Sequence, residues 1–332
     1  MTVVVTGSIA YDYIMSFPGR FRDHILPDNI ANLSLSFLVD SMTRQRGGCA
    51  PNIAYSLALL GERPRIMATA GQDFGDYARW LEKHGVDLSW VRIYENEYTA
   101  SFFVSTDVEN NQIASFYTGA MARARDLSFY DFDVSDVELV VISPNDPEAM
   151  KRYVRECAAL HLPFIYDPSQ QIVRLEADAL VEGIEAANLL ICNDYEYELI
   201  KHKTGLSDVE LLSKAGTIVV TEGEHGSSIY TLERKYKIPP APPKRIGDPT
   251  GVGDAYRAGL IVGLLSGFSW DVAGRLGSLA ATYVLEHRGP QEHYYTLTEF
   301  IERYRHTFGD TPELDMLYRR FTPGHDEQAN VF

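Results

Sequence analysis

The sequence predicts an α/β protein whose doubly wound, mostly parallel sheet is flanked by helices and carries a small β-sheet lid. Short apolar segments with the length of strands alternate with amphipathic helical segments along most of the 332 residues. This alternation is typical of a parallel sheet, because each connection between parallel strands crosses over through a helix. Two segments rich in β-branched and aromatic residues interrupt the alternation, and they predict the lid.

The composition predicts a globular protein of the cytoplasm. Hydrophobic residues make up 45% of the chain and charged residues 23%, which is enough apolar material for a substantial core. The formal net charge of −16 argues against a surface that binds nucleic acid. No apolar stretch approaches the ~18 residues of a membrane span, and residues 1–8 lack the basic start of a secretory signal. We therefore expect a cytoplasmic protein that binds neither nucleic acid nor membrane.

The first strand of the sheet is predicted at residues 3–5, where three valines precede the turn Thr6-Gly7-Ser8. Later strands are apolar and end in polar or turn residues, and they are predicted at 138–143, 163–167, 189–193 and 217–221. The spacing of apolar residues predicts helices at 146–160 and 271–285. The carboxyl ends of such strands are a common place for ligand contacts in open α/β sheets.

The two segments that interrupt the alternation lie at 30–44 and 99–117, and they predict an antiparallel flap. We expect a lid formed by residues 11–45 and 98–118. It is inserted into a large α/β domain formed by residues 1–10, 46–97 and 119–332. The alternative is a pair of sheet-edge hairpins without a role in ligand binding.

Residues 247–259 form a turn of small residues that runs into an apolar helix. The first backbone N–H groups of a helix have no partner within it, and a glycine-rich turn allows a charged oxygen to approach them. Asp254 lies in the first helical turn, where its carboxylate could take a proton from an attacking hydroxyl. This combination suggests phosphoryl transfer. The alternative is an ordinary helix start with an acidic residue that suits the helix dipole.

This turn resembles the signature Asp-Thr-x-Gly-Ala-Gly-Asp of the ribokinase/PfkB family of carbohydrate and nucleoside kinases. The chain has Asp-Pro-Thr-Gly-Val-Gly-Asp at residues 248–254. The resemblance implies a ribokinase-like fold with Asp254 as the catalytic base. It also implies an anion hole for the transferred phosphoryl group, formed by the N–H groups of Gly251, Val252 and Gly253. Pro249 and Val252 depart from the commonest pattern, and neither change removes an essential group.

A second glycine turn, Gly-Gly-Cys-Ala-Pro-Asn at residues 47–52, resembles the Gly-Gly-x-x-x-Asn signature of the same family. The resemblance implies that Gly48 and Asn52 hold hydroxyls of the phosphate acceptor. Asp12 follows the first strand, and its carboxylate could accept two hydroxyl hydrogen bonds, which suits vicinal ribose hydroxyls. A solvated turn aspartate is the alternative for Asp12; the resemblance favours binding of the sugar diol.

Within the family, the chain resembles adenosine kinases of the actinobacterial type. The likeness rests on Ser8, on Asp12 and on the runs 33–40, 112–117 and 167–171. It implies that Phe102 and Phe116 stack on a purine and that polar groups contact the nucleoside, namely Ser8, Ser36, Gln170 and Gln171. Packing within the lid is the alternative role for the two phenylalanines.

The resemblance also implies an ATP site with bound ions. Asn193 and Glu196 match an Asn-x-x-Glu motif that organises Mg²⁺ and phosphate, with Glu196 acting through water. The run 221–226 resembles a nucleotide loop, in which Thr221, Gly223 and Gly226 approach ATP. Asp248 and Thr250 occupy positions comparable to those that hold K⁺ in family members. The expected cofactors are therefore Mg²⁺ with ATP, together with K⁺ as a monovalent activator.

The expected reaction is transfer of the γ-phosphate of ATP to the 5′-hydroxyl of adenosine, giving AMP and ADP. Two alternatives within the same chemistry are a kinase of a free sugar, such as ribose or fructose, and a kinase of inosine or guanosine. A nucleoside-binding sensor without catalysis is the alternative from another class. The expected partners are ATP, adenosine and a second copy of the chain paired through its lid strands.

Overall fold

The computed structural model describes residues 2–25 and 34–321. Its larger sheet has nine strands in this part of the chain, in the order β13-β12-β11-β10-β9-β8-β1-β4-β5. The strands are β1 Thr2–Thr6, β4 Arg65–Gly71, β5 Asp87–Tyr94, β8 Val137–Ile142, β9 Phe164–Tyr166, β10 Leu189–Asn193, β11 Thr217–Thr221, β12 Ser227–Thr231 and β13 Lys235–Ile238. The sheet is parallel from β5 to β11, and β12 and β13 add an antiparallel edge.

Helices cover both faces of this sheet, which confirms the predicted doubly wound α/β fold. They are α1 Cys49–Leu59, α2 Gly75–Lys83, α3 Pro147–Ala159, α4 Ala177–Ala186, α5 Asp194–Thr204, α6 Asp208–Ala215, α7 Val252–Leu265, α8 Trp270–Leu285, α9 Leu297–Phe308 and α10 Pro312–Phe321. Successive side chains of β1 point to opposite faces, so Val3 and Val5 join one apolar cluster while Val4 joins the other. Within the described ranges, no helix has both the length and the apolar character needed to cross a membrane.

A second, smaller sheet has the order β3-β2-β6-β7. Its strands are β2 Ala10–Ser16, β3 Ser41–Gly47, β6 Ala100–Thr106 and β7 Gln112–Tyr117. The predicted antiparallel flap pairs β2 with β3 and β6 with β7 in antiparallel fashion, and one parallel pair, β2 with β6, joins its two halves. The two chain segments enter this sheet from the same side of the large domain, so their first strands run in the same direction.

The predicted strand region at 30–44 differs from the structure in two ways. Regular strand structure is confined to β3, which begins at Ser41, and residues 34–39 have no regular secondary structure. Residues 30–33, including Leu33 of the quoted run, lie outside the described residues. Strand β2 was not predicted, since its sequence Ala-Tyr-Asp-Tyr-Ile-Met-Ser mixes polar and aromatic residues without clear alternation.

Helices α7 and α8 pack closely because glycines line their contact. A Cβ at Gly259 would lie 2.6 Å from the carbonyl carbon of Leu276, and one at Gly263 would lie 2.6 Å from the Cα of Ala273. Gly277 of α8 faces Tyr256 of α7 in the same way. This close contact fixes the axis of α7 and hence the position of its first turn.

We expect Gly259→Ala to lower the free energy of unfolding by about 1–3 kcal/mol, since the added methyl must push α7 away from α8. Chemical denaturation measures this change. Gly75→Ala is the matched control, because the nearest atom to its new methyl is Arg79 Nη1 at 3.8 Å. An equal loss of stability in both variants would contradict the close-packing explanation.

Candidate active site

The turn before α7 has the geometry of an anion-binding helix start. Gly251 caps the helix with φ 79°, a left-handed conformation, and a side chain there would collide with Pro290. Among the described residues, the N–H groups of Gly251 and Gly253 form no hydrogen bond, whereas that of Val252 donates to Pro249 O at 3.3 Å. Two of the three predicted anion-hole donors are thus available, and the third is held by a long hydrogen bond.

Asp254 lies in the first turn of α7 and is half-buried. Burial raises the pKa of Asp254 to about 6, while Arg257 and a hydrogen bond from Asn52 act in the opposite direction. Asn52 Nδ2 donates to Asp254 Oδ2 at 2.9 Å, which leaves Oδ1 able to accept another proton. The carboxylate is therefore suited to act as a general base near neutral pH.

The second glycine turn places Asn52 opposite Asp254. Gly48 has φ 93°, and a Cβ there would lie 2.7 Å from the backbone nitrogen of Ala10 and 2.9 Å from the Cα of Ile9. This close approach joins α1 to the start of β2. The hydrogen bond from Asn52 to Asp254 thus brings together two turns that are about 200 residues apart in the sequence.

A buried hydrogen-bond network supports Asn52 from behind, and the sequence analysis missed it. Gln291 Nε2 donates to Asn52 Oδ1 at 2.9 Å and also to the hydroxyl of Tyr77. Tyr77 in turn donates to Gly47 O at 3.0 Å. Its members come from α1, α2 and the turn after α8, so no local pattern could reveal it.

A buried ion pair joins α7 to the loop after β9. Arg257 lies three residues after Asp254, and its Nη2 is 2.8 Å from Asp167 Oδ1 while its Nε is 2.5 Å from Asp167 Oδ2. Both side chains are almost completely buried. Sequence reasoning treated the run that begins at Asp167 only as part of a family resemblance and assigned Arg257 no role.

A cavity of about 500 Å³ opens in front of Asp254, between the large domain and the small sheet. This volume is ordinary for a site that binds a small organic molecule. Eleven predicted residues line it: Ser8, Asp12, Gly48, Asn52, Phe102, Phe116, Gln170, Gln171, Thr250, Gly251 and Asp254. Five others complete the lining and were not predicted as site residues: Ala10, Cys49, Met121, Pro144 and Arg174.

The small sheet presents one row of side chains to this cavity. Asp12 of β2 pairs with Phe102 of β6, which pairs with Phe116 of β7, so all three project from the same face. Burial and the nearby carboxylate of Asp248 raise the pKa of Asp12 to about 6. Ser36, predicted to contact the nucleoside, is exposed and does not line the cavity.

The three cysteines form no disulfide with one another. Cys49 contacts the cavity, but burial and the neighbouring Asp254 raise the pKa of its thiol well above the ordinary value. A thiol in that state is a poor nucleophile. The site therefore offers a carboxylate as its base and no activated cysteine at this position.

The predicted ATP residues lie at the carboxyl edge of the parallel strands. Asn193 ends β10 and is the direct partner of Thr221, which ends β11. Glu196 forms a capping box with Asn193 and accepts a hydrogen bond from Ser169 Oγ at 3.0 Å. Gly223 and Gly226 both have positive φ in the turn that follows β11. None of these five residues lines the cavity in front of Asp254, so they form a separate neighbouring group.

The residues fit Mg²⁺ carried by phosphate better than a metal held by protein alone. Within residues 2–25 and 34–321, no group of three or more His, Cys, Asp or Glu side chains is arranged to hold a metal ion. Both carboxylate oxygens of Glu196 accept hydrogen bonds, which suits contact with Mg²⁺ through water. Asp248 Oδ1 accepts from Thr250 N at 2.9 Å, and its second oxygen fits the oxygen ligands that K⁺ requires.

Comparison with known proteins agrees with this geometry. The model of the pfkB family carbohydrate kinases matches residues 3–296. Burkholderia thailandensis nucleoside kinase in complex with inosine has a TM-score of 0.83 and 39% identity, covering 93% of this chain and 99% of that one. In complex with ADP-inosine it has a TM-score of 0.81 and 40% identity, covering 93% and 97%. The nucleoside kinase of Methanocaldococcus jannaschii is 29% identical over 303 residues, 91% of this chain and 96% of that protein. The fold, the two glycine turns and the match over most of the sequence show that the chain belongs to the pfkB family of carbohydrate kinases.

Proposed function

We propose that the protein is an ATP-dependent nucleoside kinase that phosphorylates the 5′-hydroxyl of a purine nucleoside. The observation that carries this proposal is the single cavity that combines Asp254, Asp12 and the paired rings of Phe102 and Phe116. A carboxylate base, a carboxylate suited to a diol and two aromatic rings match the three parts of a nucleoside. Adenosine, giving AMP and ADP, is the acceptor expected from the sequence. Inosine, which the Burkholderia relative binds, is the second candidate.

In the proposed reaction, Asp254 Oδ1 accepts the proton of the 5′-hydroxyl as that oxygen attacks the γ-phosphate. Asn52 holds Oδ2 at 2.9 Å and so fixes the plane of the carboxylate. The N–H groups of Gly251 and Gly253 face the developing negative charge, and the α7 dipole adds to their effect. Mg²⁺ bound with ATP supplies further positive charge on the phosphates.

Ribose binding is assigned to Asp12, Gly48 and Asn52, with Ser8 beside them. Asp12 faces the cavity from β2, and a Cβ at Gly47 would lie 3.1 Å from its Cγ, which explains why β3 ends in a glycine there. Gln170, Gln171 and Arg174 line the cavity from the loop after β9 and can donate hydrogen bonds to a base. Phe102 and Phe116 provide apolar faces for stacking.

The proposal extends to the ions and to the assembly. Glu196 acting through water and the Asp248–Thr250 pair are the proposed positions for Mg²⁺ and K⁺. All six residues of β7 are exposed, and β7 pairs with β6 alone among the described strands. An unpaired strand edge of this kind can pair with a second copy, which supports a homodimer through the small sheet.

The proposal is tested by ADP release from Mg-ATP with K⁺, using adenosine, inosine, guanosine, ribose and fructose as acceptors. We expect turnover with adenosine or inosine and at least about 100-fold less in Asp254→Asn, because the base acts in the transition state. Nucleoside affinity, measured by calorimetry, should change little in this variant. Turnover confined to a free sugar would reject the nucleoside assignment. Nucleoside binding without ADP release in the wild type would indicate a sensor.

Phe102→Ala tests the position of the base. We expect KM for the purine nucleoside to rise about tenfold, since stacking contributes about 1–3 kcal/mol per base, while turnover of any free ribose stays unchanged. Phe103→Ala is the matched control, because its ring stacks on Tyr13 at 4.7 Å, on the opposite face of the small sheet. Equal effects of both substitutions would argue that the rings only stabilise the sheet.

The pH dependence of kcat tests the role of Asp254. Its pKa is raised to about 6, so the carboxylate is ionised and active above this pH and is protonated below it. We therefore expect kcat to fall as the pH drops through about 6. A kcat that stays constant down to pH 4.5, with the enzyme still folded by circular dichroism, would exclude Asp254 as the base.

A further inference from the structure

Gln291 is a buried polar residue behind the active site, and it does not line the cavity. Its side chain is 1% exposed and lies in the turn after α8. Its Nε2 makes two contacts, to Asn52 Oδ1 at 2.9 Å and to the hydroxyl of Tyr77. It therefore contacts a residue of the site without facing the substrate.

The chemistry of this network fixes the direction of each hydrogen bond. Gly47 O can only accept, so the one hydroxyl proton of Tyr77 is used for it at 3.0 Å. The Tyr77 oxygen must then accept from its other neighbour, which requires the nitrogen of Gln291. The same nitrogen faces Asn52, so Asn52 must present its carbonyl oxygen to Gln291 and its amide nitrogen to Asp254.

We infer that Gln291 is a positioning residue that orients the Asn52 amide so that its nitrogen donates to the catalytic carboxylate of Asp254. The inference rests on the proposed function, because it assigns Gln291 a part in the same reaction. With the Asn52 amide reversed, a carbonyl oxygen would face the carboxylate, and the two partial negative charges would repel each other.

One buried polar atom of Gln291 has no hydrogen-bond partner within the described ranges, which is unfavourable for folding and points to a functional role for this residue. Among the described residues, Gln291 Oε1 is buried and has no hydrogen-bond partner. A buried acceptor without a partner is unfavourable, so this carbonyl oxygen adds nothing to the stability of the network. What the amide contributes is its nitrogen, which donates to Asn52 and to Tyr77.

Several charged and titratable groups also face Asp254, and the hydrogen bond from Asn52 acts among them. Arg257 on the same helix favours the ionised carboxylate, and Glu196 of α5 disfavours it. Asp167 after β9 and Cys49 of α1 interact with Asp254 as well. Loss of the Asn52 hydrogen bond would leave these groups unchanged and shift the balance toward the protonated carboxyl.

The test compares the pH dependence of kcat in the wild type, Gln291→Met and Gln291→Glu. Methionine keeps the length of the side chain but donates no hydrogen bond. Ionised glutamate accepts from both Tyr77 and Asn52 and so reverses the network. The acid limb of kcat is the pH range in which kcat falls as Asp254 is protonated. We expect the midpoint of this limb to rise by about one pH unit in Gln291→Met, so that kcat is about fivefold below the wild-type value at pH 6 and matches it above about pH 8. The KM for the nucleoside should change much less than kcat, and Gln291→Glu should shift the limb at least as far.

Tyr55→Phe is the matched control. Tyr55 lies on α1, three residues after Asn52, and its hydroxyl donates to His293 O at 2.8 Å in the same turn that carries Gln291. Its loss removes a buried hydrogen bond from this turn without touching Asn52, so thermal stability should fall while the acid limb stays at its wild-type position.

The outcomes separate the inference from the proposed function. An active wild type whose Gln291→Met and Gln291→Glu variants keep the wild-type acid limb would overturn the inference and leave the kinase intact. A loss of kcat by the same factor at every pH would also overturn it, since that result indicates a purely structural role. A wild type without nucleoside kinase activity would reject both. If Gln291→Met does not fold, Gln291→Leu replaces it, because leucine also donates no hydrogen bond and adds no charge near Asp254.

Discussion

The hydrogen bond between Asn52 and Asp254 joins two helix starts that are 202 residues apart in the chain, and the site depends on it. Each partner follows a glycine in a positive-φ conformation, Gly48 before α1 and Gly251 before α7. These turns bring the first turns of two helices within reach of each other, with backbone N–H groups beside a carboxylate. The close packing of α7 on α8 then keeps this geometry fixed from the other side.

Charge balance is the second constraint, because an acidic protein must here accommodate an anionic phosphate. Burial favours the protonated forms of Asp12 and Asp254, as their raised pKa values indicate. At Asp254 this effect is opposed by Arg257, which places a buried guanidinium one helical turn further along α7, paired with Asp167. Under the proposed function, backbone dipoles and the cations bound with ATP would meet the phosphate, rather than a basic surface.

Much of the fold followed from local sequence, whereas parts of the site did not. Buried strands such as β1 and β8 and the glycine turns before α1 and α7 are encoded by neighbouring residues, so pattern and resemblance found them. Strand β2 escaped because its sequence mixes polar and aromatic residues without clear alternation. Arg257 and Gln291 escaped for a different reason, since the partner that gives each its role is remote in sequence. Ser36 is exposed, and its proposed contact with the nucleoside stays a prediction.

Asp12, Phe102 and Phe116 occupy one row across three neighbouring strands of the small sheet. Neighbouring strands lie roughly 4.8 Å apart, so this row spans about 10 Å, comparable to the length of a nucleoside. The hydrogen bonds between the strands keep the spacing of this row constant. Any movement of the small sheet would therefore carry the Asp12 carboxylate, proposed to bind the diol, and both rings together. Capture of the acceptor and release of the phosphorylated product would then be concerted events, with sugar and base engaged or freed in a single step.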